Sequence, residues 1–364
     1  MNSLKAQILK PTPENFLFCS QVLHNGGLVS FPTETVYGLG ANALNRDAVC
    51  DIFKAKNRPF NDPVIVHVLS EEDAERYIDV SNEERRIFHS LATSFWPGPL
   101  TIVMKAKEIL PKELSAGTGK VGFRCPSQPL ARELLRVSGL PIAAPSANKF
   151  GHISPTRAEH VYSDLSDWPV QIIDGGDIVC DVGIESTVIG IDCEKQQIVL
   201  FRRGGVSEHA IMSCLQENGM AWSVWEPVKH VAMEMKEAQV APGQLITHYA
   251  PYCDTFLAEV DPKAMMPQIV RERIESTVVL DFAGMLEGYR ERCLKFLSLS
   301  EKGDVMEAMK NIYGKLREAE RVEGVKLILL ASLGQRKEEL ALSVMDRMVR
   351  ATSGKMIKIP PRFE

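Results

Sequence analysis

The residues of this sequence best suited to chemistry are polar side chains that follow short apolar runs between positions 26 and 68. Lys56 and Arg58 form a Lys-x-Arg pair at the end of one predicted helix, and Thr33 and His67 lie at the ends of two predicted strands. Two cations, an imidazole and a hydroxyl suit an anionic ligand such as a phosphate or a carboxylate. The alternative is structural, because cations at a helix C-terminus are often solvated residues favoured by the helix dipole, and a single strand histidine is often packed.

Three predicted elements position these four side chains. The run Leu28–Phe31, bounded by glycine and proline, predicts a buried strand. The polar residues after it predict a turn, in which Gly38 and Gly40 allow a close approach of the backbone or a positive φ. Asn45 caps a predicted helix whose apolar residues recur every three or four positions, and Lys56 ends that inward stripe. Thr12 and Pro13 predict the start of an earlier helix, and Thr156 is the expected cap of a later one. Residues 63–68 predict a second strand, in which His67 and the three valines face opposite ways. Two strand ends and one helix end can therefore converge on one ligand.

Further candidates follow later strands. Arg124 ends a short predicted strand, and its planar guanidinium suits bidentate capture of a carboxylate or phosphate, although a surface salt bridge is the alternative. The run Pro-Ser-Ala-Asn at 145–148 follows a strand of small residues, so a flat ring or phosphate can lie against its backbone, unless the run is simply a tight turn. Ser186 and Arg202 lie at the edges of two more strands, where each residue taken singly is more often structural.

Two stretches imitate nucleotide-binding motifs. The run GTGK at 117–120 resembles the end of a phosphate loop, but that motif needs Gly where the chain has Leu114, and Ser or Thr where it has Val121. The run GLGANA at 38–43 is a partial dinucleotide fingerprint that does not open a helix directly after a strand. We therefore expect neither a Walker loop nor a nicotinamide or flavin cofactor.

The composition excludes several classes of protein. A chain of 364 residues favours two domains. Its 42 Lys and Arg against 47 Asp and Glu rule out a generally basic surface for nucleic acid, so any basic site must be local. No apolar run reaches the roughly 18 residues of a membrane span, and the first residues lack the apolar core of a secretory signal, so we expect a cytoplasmic protein. The eight cysteines are spread singly and predict reduced thiols, with neither disulfides nor a zinc site.

The pattern of the chain changes in its second half. We expect a first domain over residues 1–219, closed by a helix that Ser207 caps. Residues 220–253 have the composition of a linker, and its aromatic Tyr249 can serve as part of a lid. From residue 254 to 364, apolar runs alternate with helical stretches, which predicts a small parallel α/β layer with helices on its faces.

Four runs, PTETVYGLG, KNRPFNDPVIVH, PIAAPSAN and SPT, closely resemble the YrdC-like family, whose members include the threonylcarbamoyl-AMP synthases of tRNA modification. The run APGQLITHYAP and the chain after it resemble the two-domain form of that synthase. The resemblance is strongest over residues 26–156 and weaker beyond residue 256. It implies an α/β fold: a YrdC-like twisted open sheet with helices around a deep basic cavity, plus a smaller C-terminal Rossmann-like domain.

The resemblance also implies an activity. Family members are nucleotidyltransferases that condense L-threonine, bicarbonate or carbon dioxide, and ATP into L-threonylcarbamoyl-AMP and pyrophosphate. Partner proteins then transfer the threonylcarbamoyl group to the adenosine beside the anticodon of tRNA. A Mg²⁺ ion held mainly by the ATP phosphates is implied, for which the sequence suggests no particular protein ligand. A weak direct contact with RNA is compatible with this role, and a membrane partner is not expected.

The family's functional residues carry over to positions in this sequence. The resemblance places L-threonine against Thr33, His67, Arg124 and Ser186, with Arg124 on the carboxylate. It places ATP against Lys56, Arg58, Ser115, Ser146, Asn148, Ser154 and Arg202, with Phe60 and Ala144 near it through their backbone and Tyr249 reaching it from the linker. Lys56 and Arg58 are the expected catalytic residues, because they can offset the charge that builds on the leaving pyrophosphate. Departures from the commoner family pattern at Arg203, Gln244 and Thr247 affect the lid contacts more than the chemistry.

Two other functions compete with this interpretation. Relatives have been regarded as non-enzymatic factors that bind double-stranded RNA or the ribosome, but the acidic total and the lack of Arg-rich or aromatic-interleaved runs count against that alternative. The carbamoyl-transfer module of hydrogenase maturation carries zinc-binding C-x-x-C repeats, which this chain lacks.

Overall fold

The computed structural model describes residues 5–176, 180–227, 239–241, 249–334, 336 and 338–363. The chain forms two compact units. The first consists of Met1–Phe150 and Pro155–Gln244, and the second of Gly151–Ser154 and Leu245–Glu364. The short piece Gly151–Ser154 therefore groups with the second unit, although the chain on both sides of it belongs to the first.

The strands of the first unit are β1 (Gln7–Leu9), β2 (Leu28–Phe31), β3 (Gly38–Asn42), β4 (Val66–His67), β5 (Leu100–Lys105), β6 (Lys120–Arg124), β7 (Ile142–Ala143), β8 (Val170–Ile173), β9 (Thr187–Asp192), β10 (Gln197–Arg202) and β11 (Ser223–Trp225). Its helices are α1 (Pro13–His24), α2 (Arg46–Lys56), α3 (Glu71–Glu75), α4 (Asn82–Phe95), α5 (Pro129–Ser138), α6 (Ala158–Leu165) and α7 (Glu208–Glu217).

Within the described residues these strands form one mixed sheet, in the order β1-β8-β2-β3-β7-β4-β6-β5-β9-β10-β11. Strand β4 runs parallel to β6 and antiparallel to β7, and β5 runs antiparallel to β6 and parallel to β9. Strands far apart in sequence thus become neighbours at the centre of the sheet. The expected mixed sheet with helices is confirmed.

Local capping explains why the first two helices begin where the sequence predicts. The hydroxyl of Thr12 accepts a hydrogen bond from the backbone of Asn15, and proline follows as the first helical residue of α1. The side chain of Asn45 accepts from two backbone N–H groups at the start of α2. Asn57, with φ of 55°, ends that helix in a left-handed conformation, which turns the chain sharply after Lys56.

The two faces of the central strands have different roles. Val66, Phe123 and Ile102, on β4, β6 and β5, belong to the main apolar core. Residues one position away point to the opposite face. There, a Cβ added to Gly122 would lie 2.8 Å from the Cγ2 atom of Thr101 and 3.5 Å from Cγ1 of Ile65. We call this side of β4, β6 and β5, with Ile65, His67, Gly122, Arg124 and Thr101, the site face.

Other apolar residues cover the same side of the sheet at its two ends. At one end α1 and α5 pack on β2 and β7 through a separate cluster that includes Phe16, Phe31 and Leu134. At the other end Ala241 and its neighbour Val240 pack against Val103 and Val188 of β5 and β9. The site face lies between these two covered regions.

Two features differ from the sequence prediction. Gly38–Asn42 is strand β3, whereas the glycines suggested a polar turn. A Cβ at Gly40 would lie 2.8 Å from the side chains of both Ile142 and Phe31, so this glycine allows close packing within the sheet. Thr156, the expected cap of the next helix, lies before it, because α6 begins at Ala158 with Arg157 at the cap position.

The second unit has its own sheet, made of β12 (Asp254–Val260), β13 (Thr277–Phe282), β14 (Lys295–Ser300), β15 (Leu327–Ala331) and β16 (Met356–Ile359). Its helices are α8 (Gln268–Arg273), α9 (Val305–Glu320) and α10 (Glu339–Ala351). All its strand pairs are parallel, in the order β14-β13-β15-β12-β16. The predicted parallel α/β layer is confirmed, although the sequence did not indicate β14 or β16. None of the helices in the described ranges is long and apolar enough to cross a bilayer.

Candidate active site

Thr33 organises the turn that follows β2. Its hydroxyl donates to the carbonyl of Val36 at 2.6 Å and lies 2.7 Å from the hydroxyl of Thr35. It also accepts from the backbone N–H groups of Thr35 and Val36. Since Thr33 and Thr35 are both buried, the turn is held rigidly by its own hydroxyls. The expected ligand residue Thr33 thus also has a structural task.

This turn contacts Arg124 on the site face. One terminal nitrogen of Arg124, Nη1, donates to the hydroxyl of Thr35 at 2.9 Å, and the other, Nη2, lies 2.7 Å from Oε1 of Glu34. Both members of the ion pair are buried. Within the described residues, Nε and Nη2 of Arg124 and Oε1 of Glu34 nevertheless have no hydrogen-bond partner in good alignment. Because Nε and Nη2 share one edge of the guanidinium, this edge can receive a carboxylate in a bidentate manner.

His67 lies beside Arg124, because the two residues are paired in the β4–β6 ladder. Burial and the neighbouring guanidinium lower the pKa of the His67 imidazole to about 3, and a hydrogen bond with the backbone of Ile142 opposes them weakly. The ring is therefore neutral at physiological pH. Its Nδ1 atom is buried and has no hydrogen-bond partner among the described residues, so it can make a further polar contact on the site face.

Ser186 lies next to the site face, immediately before β9. Its hydroxyl is 2.7 Å from the hydroxyl of Thr101 and accepts from Nη2 of Arg202 at 3.1 Å. Arg202 also donates through Nε to the carbonyl of Ser186. The backbone is fixed from behind, since a Cβ at Gly204 would lie only 2.4 Å from the carbonyl carbon of Ser186. The structure therefore brings Ser186 and Arg202 together, as two of the predicted site residues.

Lys56 lies at the end of α2 and is buried. Its ammonium donates to the carbonyl of Ser146 at 2.6 Å and to the carbonyl of Asn148. Burial lowers the pKa of Lys56 well below its ordinary value, and the nearby guanidinium of Arg58 lowers it further, while two carboxylates oppose this shift. The predicted Lys56, Ser146 and Asn148 thus form one cluster. An isolated bridge between Ser146 and Gly38 connects it to the turn that Thr33 begins.

Arg58 is held in the loop between α2 and β4. Its Nε donates to the carbonyl of Asp62, and Nη2 donates to the carbonyl of Pro63 at 2.7 Å. The same nitrogen lies 3.0 Å from the Asp62 carboxylate, and both side chains are almost fully buried. Arg58 therefore fixes the shape of this loop in addition to supplying positive charge.

Residues 239–241 lie close to the same loop. The backbone N–H of Gln239 donates to the carbonyl of Asn61 at 2.9 Å. Gln239 and Ala241 are both buried, and Ala241 packs on Val103 of β5. A part of the stretch expected to be a linker is thus firmly attached to the first unit beside the site face, which composition alone did not indicate.

Of the remaining predicted site residues, Ala144 borders the site face, and the others have different surroundings. Ala144 is buried and donates its N–H to Ile65, whereas Phe60 is half exposed and stacks on Phe53. The hydroxyl of Ser115 donates to Lys112, and Ser115 lines a surface cleft of about 910 Å³.

In the second unit, Ser154 is buried, and Tyr249, with φ of 68°, packs against Tyr313 and lies near the guanidinium of Arg347. Gln244, Thr247 and His248 fall outside the described residues.

Sequence reasoning missed Glu34, Thr35 and Thr101. Glu34 and Thr35 stand beside Thr33 in the same run, but nothing in their spacing distinguishes a residue that contacts Arg124. Thr101 had a detectable signal, because it is a polar residue that alternates with the apolar core residues Leu100 and Ile102. The run GTGK at 117–120 leads into strand β6 and not into a helix, which agrees with its rejection as a Walker loop.

Comparison with known proteins supports the same family from both halves of the chain. The family described as "Telomere recombination" matches residues 21–204, and the C-terminal domain of threonylcarbamoyl-AMP synthase matches residues 206–353. The threonylcarbamoyl-AMP synthase of Pyrococcus abyssi is 37% identical over 345 residues, which cover 93% of this chain and 94% of that protein. The Bacillus subtilis synthase is 34% identical over 357 residues, which cover 93% of this chain and 92% of that protein.

The crystal structure of P. abyssi Sua5 complexed with L-threonine matches with a TM-score of 0.80 at 33% identity, over 97% of this chain and 99% of that chain. The architecture is that of a two-unit α/β protein whose first unit carries a buried, cationic candidate site. The chain belongs to the threonylcarbamoyl-AMP synthase family.

Proposed function

We propose that this protein condenses L-threonine, carbon dioxide or bicarbonate, and ATP into L-threonylcarbamoyl-AMP and pyrophosphate. The observation that carries the proposal is the open edge of Arg124. Its Nε and Nη2 atoms are buried and make no aligned hydrogen bond in the described part of the chain, although Nη2 lies 2.7 Å from Oε1 of Glu34. On the neighbouring strand, the buried Nδ1 atom of His67 also has no hydrogen-bond partner among these residues. Buried donors of this kind cost stability unless a ligand uses them.

L-threonine is the proposed ligand of this edge. Its carboxylate accepts two hydrogen bonds from Arg124, a geometry that a planar guanidinium favours. The unpartnered nitrogen of His67 is available to the hydroxyl of the amino acid. Ser186 and the turn at Thr33 contribute further hydroxyl groups. A small polar substrate therefore finds a charged anchor and several uncharged contacts.

ATP is proposed to bind near the Lys56 cluster and Arg202. Lys56 and Arg58 contribute positive charge, and the turn that contains Ser146 and Asn148 presents small residues to the nucleotide. Arg202 donates to the Ser186 hydroxyl, and we propose that it lies between the two substrates. Contacts of ATP with Phe60, Ala144, Ser115, Ser154 and Tyr249 remain predictions that the family resemblance suggests.

The proposed chemistry has two steps. The amine of L-threonine attacks carbon dioxide and forms a carbamate. One carbamate oxygen then attacks the α-phosphorus of ATP, the bond from that phosphorus to the bridging oxygen breaks, and pyrophosphate leaves. Both steps depend on alignment and on offsetting negative charge, which fixed cations in a buried site supply. Lys56, Arg58 and Arg202 are the cations proposed for this role.

The described residues show no group of three or more His, Cys, Asp or Glu that could hold a metal ion. They do not fit a resident metal centre. We propose that Mg²⁺ arrives with the triphosphate of ATP, since this ion usually keeps several waters and takes few protein ligands. The product would serve proteins that transfer its threonylcarbamoyl group to the adenosine beside the anticodon of tRNA.

One incubation series tests the proposal. Pyrophosphate release from ATP is measured with L-threonine, bicarbonate or ATP omitted in turn, and we expect release only when all three are present. Release that proceeds equally with carbamoyl phosphate and no threonine would contradict the assignment. Family membership does not favour the alternative of a non-enzymatic RNA-binding factor.

A further inference from the structure

We propose that Glu34 receives the amino group of the amino-acid substrate and takes its proton before the attack on carbon dioxide. The inference rests on the proposed function, because it assigns the base that the first chemical step needs. An amino acid carries an ammonium at neutral pH, and an ammonium has no lone pair with which to attack carbon dioxide. The ammonium must therefore lose a proton before the attack, and near neutral pH a proton acceptor beside the bound amine speeds this loss.

The position of Glu34 suits this task. Its Oε1 atom lies 2.7 Å from Nη2 of Arg124, while its other oxygen, Oε2, accepts from the backbone N–H of Ser127 at 3.2 Å. The residue is only 6% exposed. Among the described residues, Oε1 makes no hydrogen bond of good alignment and is held by the ion pair with Arg124 alone. A carboxylate oxygen has two lone pairs, so Oε1 can accept from one further donor while it stays beside Arg124.

Glu34 and Arg124 together match the two charges of an amino acid. The edge of the guanidinium formed by Nε and Nη2 takes the substrate carboxylate, and Oε1 of Glu34 takes the ammonium through its second lone pair. When the substrate carboxylate binds, two carboxylates surround one guanidinium and repel each other. Transfer of a proton from the ammonium to Glu34 leaves the substrate carboxylate as the charged partner of the guanidinium and removes this repulsion.

Other groups near the site are less suited to accept this proton. His67 is buried next to Arg124, and its pKa of about 3 makes it a weak base. The carboxylate of Asp62 lies 3.0 Å from Arg58 and belongs to the loop that this arginine holds. Lys56 already donates to two carbonyl groups. Glu34 is the carboxylate that pairs directly with the proposed carboxylate anchor.

One proton passes from the ammonium to Oε1 of Glu34, which leaves the amine with a lone pair. That pair forms the N–C bond to carbon dioxide, and a C–O π pair moves onto oxygen to give the carbamate. The nitrogen then loses a second proton to solvent, and Glu34 returns its own proton to solvent once the product has formed.

The test compares the full-length wild-type protein with Glu34→Gln, which keeps the shape of the side chain and removes its charge. Pyrophosphate release is measured at saturating ATP, L-threonine and bicarbonate between pH 7 and 9. We expect the rate of pyrophosphate release by Glu34→Gln to be about 100-fold below the wild-type rate at pH 7, which is in the usual range for a lost general base. Because solvent supplies free amine at higher pH, the ratio of the wild-type rate to the variant rate should fall by about 10-fold per pH unit.

Two further variants complete the test. Glu113→Gln removes a carboxylate that is ion-paired with the exposed Arg46 at 2.7 Å, and it should keep the wild-type rate. Glu34→Asp keeps the charge, should lose less activity than Glu34→Gln, and carries the test if Glu34→Gln does not fold. A wild-type rate for Glu34→Gln, or a loss equal at every pH, would overturn the proposal for Glu34. Absence of threonine-dependent release in the wild type would instead overturn the proposed function.

Discussion

His67 and Arg124 occupy paired positions on the parallel strands β4 and β6, and both side chains point to the site face. A neutral imidazole therefore stands directly beside a guanidinium. This pairing explains why the pKa of His67 is so low, because burial and a neighbouring cation both disfavour its protonated form. It also places an uncharged polar group next to a cationic anchor, which suits a ligand with a carboxylate and a hydroxyl.

Arg124→Lys should weaken the binding of L-threonine. Lysine keeps the positive charge but cannot present two parallel N–H groups to a carboxylate. We expect the KM for L-threonine to rise by about 10- to 100-fold, the usual worth of a hydrogen bond to a charged group, with little change in the KM for ATP. Arg136→Lys, in an exposed ion pair with Glu133, is the matched control. An unchanged KM for L-threonine in Arg124→Lys would contradict the proposed anchor.

His67→Gln should make the protein less sensitive to acid. The folded-state pKa of about 3 lies below the ordinary value of 6.5, so in this interval the unfolded chain binds a proton that the folded chain does not. The wild-type free energy of unfolding should therefore fall as the pH drops below 6.5, by about 1.4 kcal/mol from this group at pH 5.5. Urea denaturation of the wild type and His67→Gln at pH 7.5 and 5.5 measures the free energy of unfolding. An equal decrease in both proteins between these pH values would refute the role of His67.

Lys56→Met should affect activity and stability together. The ammonium holds the carbonyls of Ser146 and Asn148, so its removal leaves two buried acceptors without their donor. We expect pyrophosphate release to fall by at least about 100-fold and the free energy of unfolding to fall by about 1–3 kcal/mol. Lys54→Met, on the same helix but solvent-exposed, should change stability by no more than about 0.5 kcal/mol. Full activity in Lys56→Met would exclude the proposed role.

Gly122→Ala should push Thr101 away from Ser186. The new Cβ would lie 2.8 Å from the methyl group of Thr101, whose hydroxyl contacts the Ser186 hydroxyl. We expect a higher KM for L-threonine. Adding Thr101→Ser removes that methyl group and keeps the hydroxyl, so the double variant should recover most of the lost affinity. A double-mutant cycle measures this coupling, and purely additive effects would show that Thr101 does not transmit the change.

The sequence predicted the parts of the fold that depend on local patterns. Helix caps at Thr12 and Asn45, the inward position of Lys56 and the strand ending at Arg124 all follow from spacing, capping and alternation. Strand β3 was missed because Gly38 and Gly40 lower the propensity for a strand, while close packing against Ile142 requires Gly40.

Contacts between distant residues could not be predicted from local patterns. Nothing in the sequence near Arg124 indicates that Glu34 will lie beside it, because that contact depends on the order of strands in the sheet. The pairing of Thr101 with Ser186 has the same origin. Residue types thus identified candidates such as Arg124 and Ser186, and the sheet determined their neighbours.

Strands β4, β5 and β6 carry the main apolar core on one side and the site face on the other. Tolerance to substitution should consequently alternate between successive residues along these strands. Positions such as Ile102 accept other apolar side chains of similar volume, whereas at Thr101 the particular functional group matters. Within strands only a few residues long, positions that tolerate substitution therefore alternate with positions where the chemistry of the side chain is restricted.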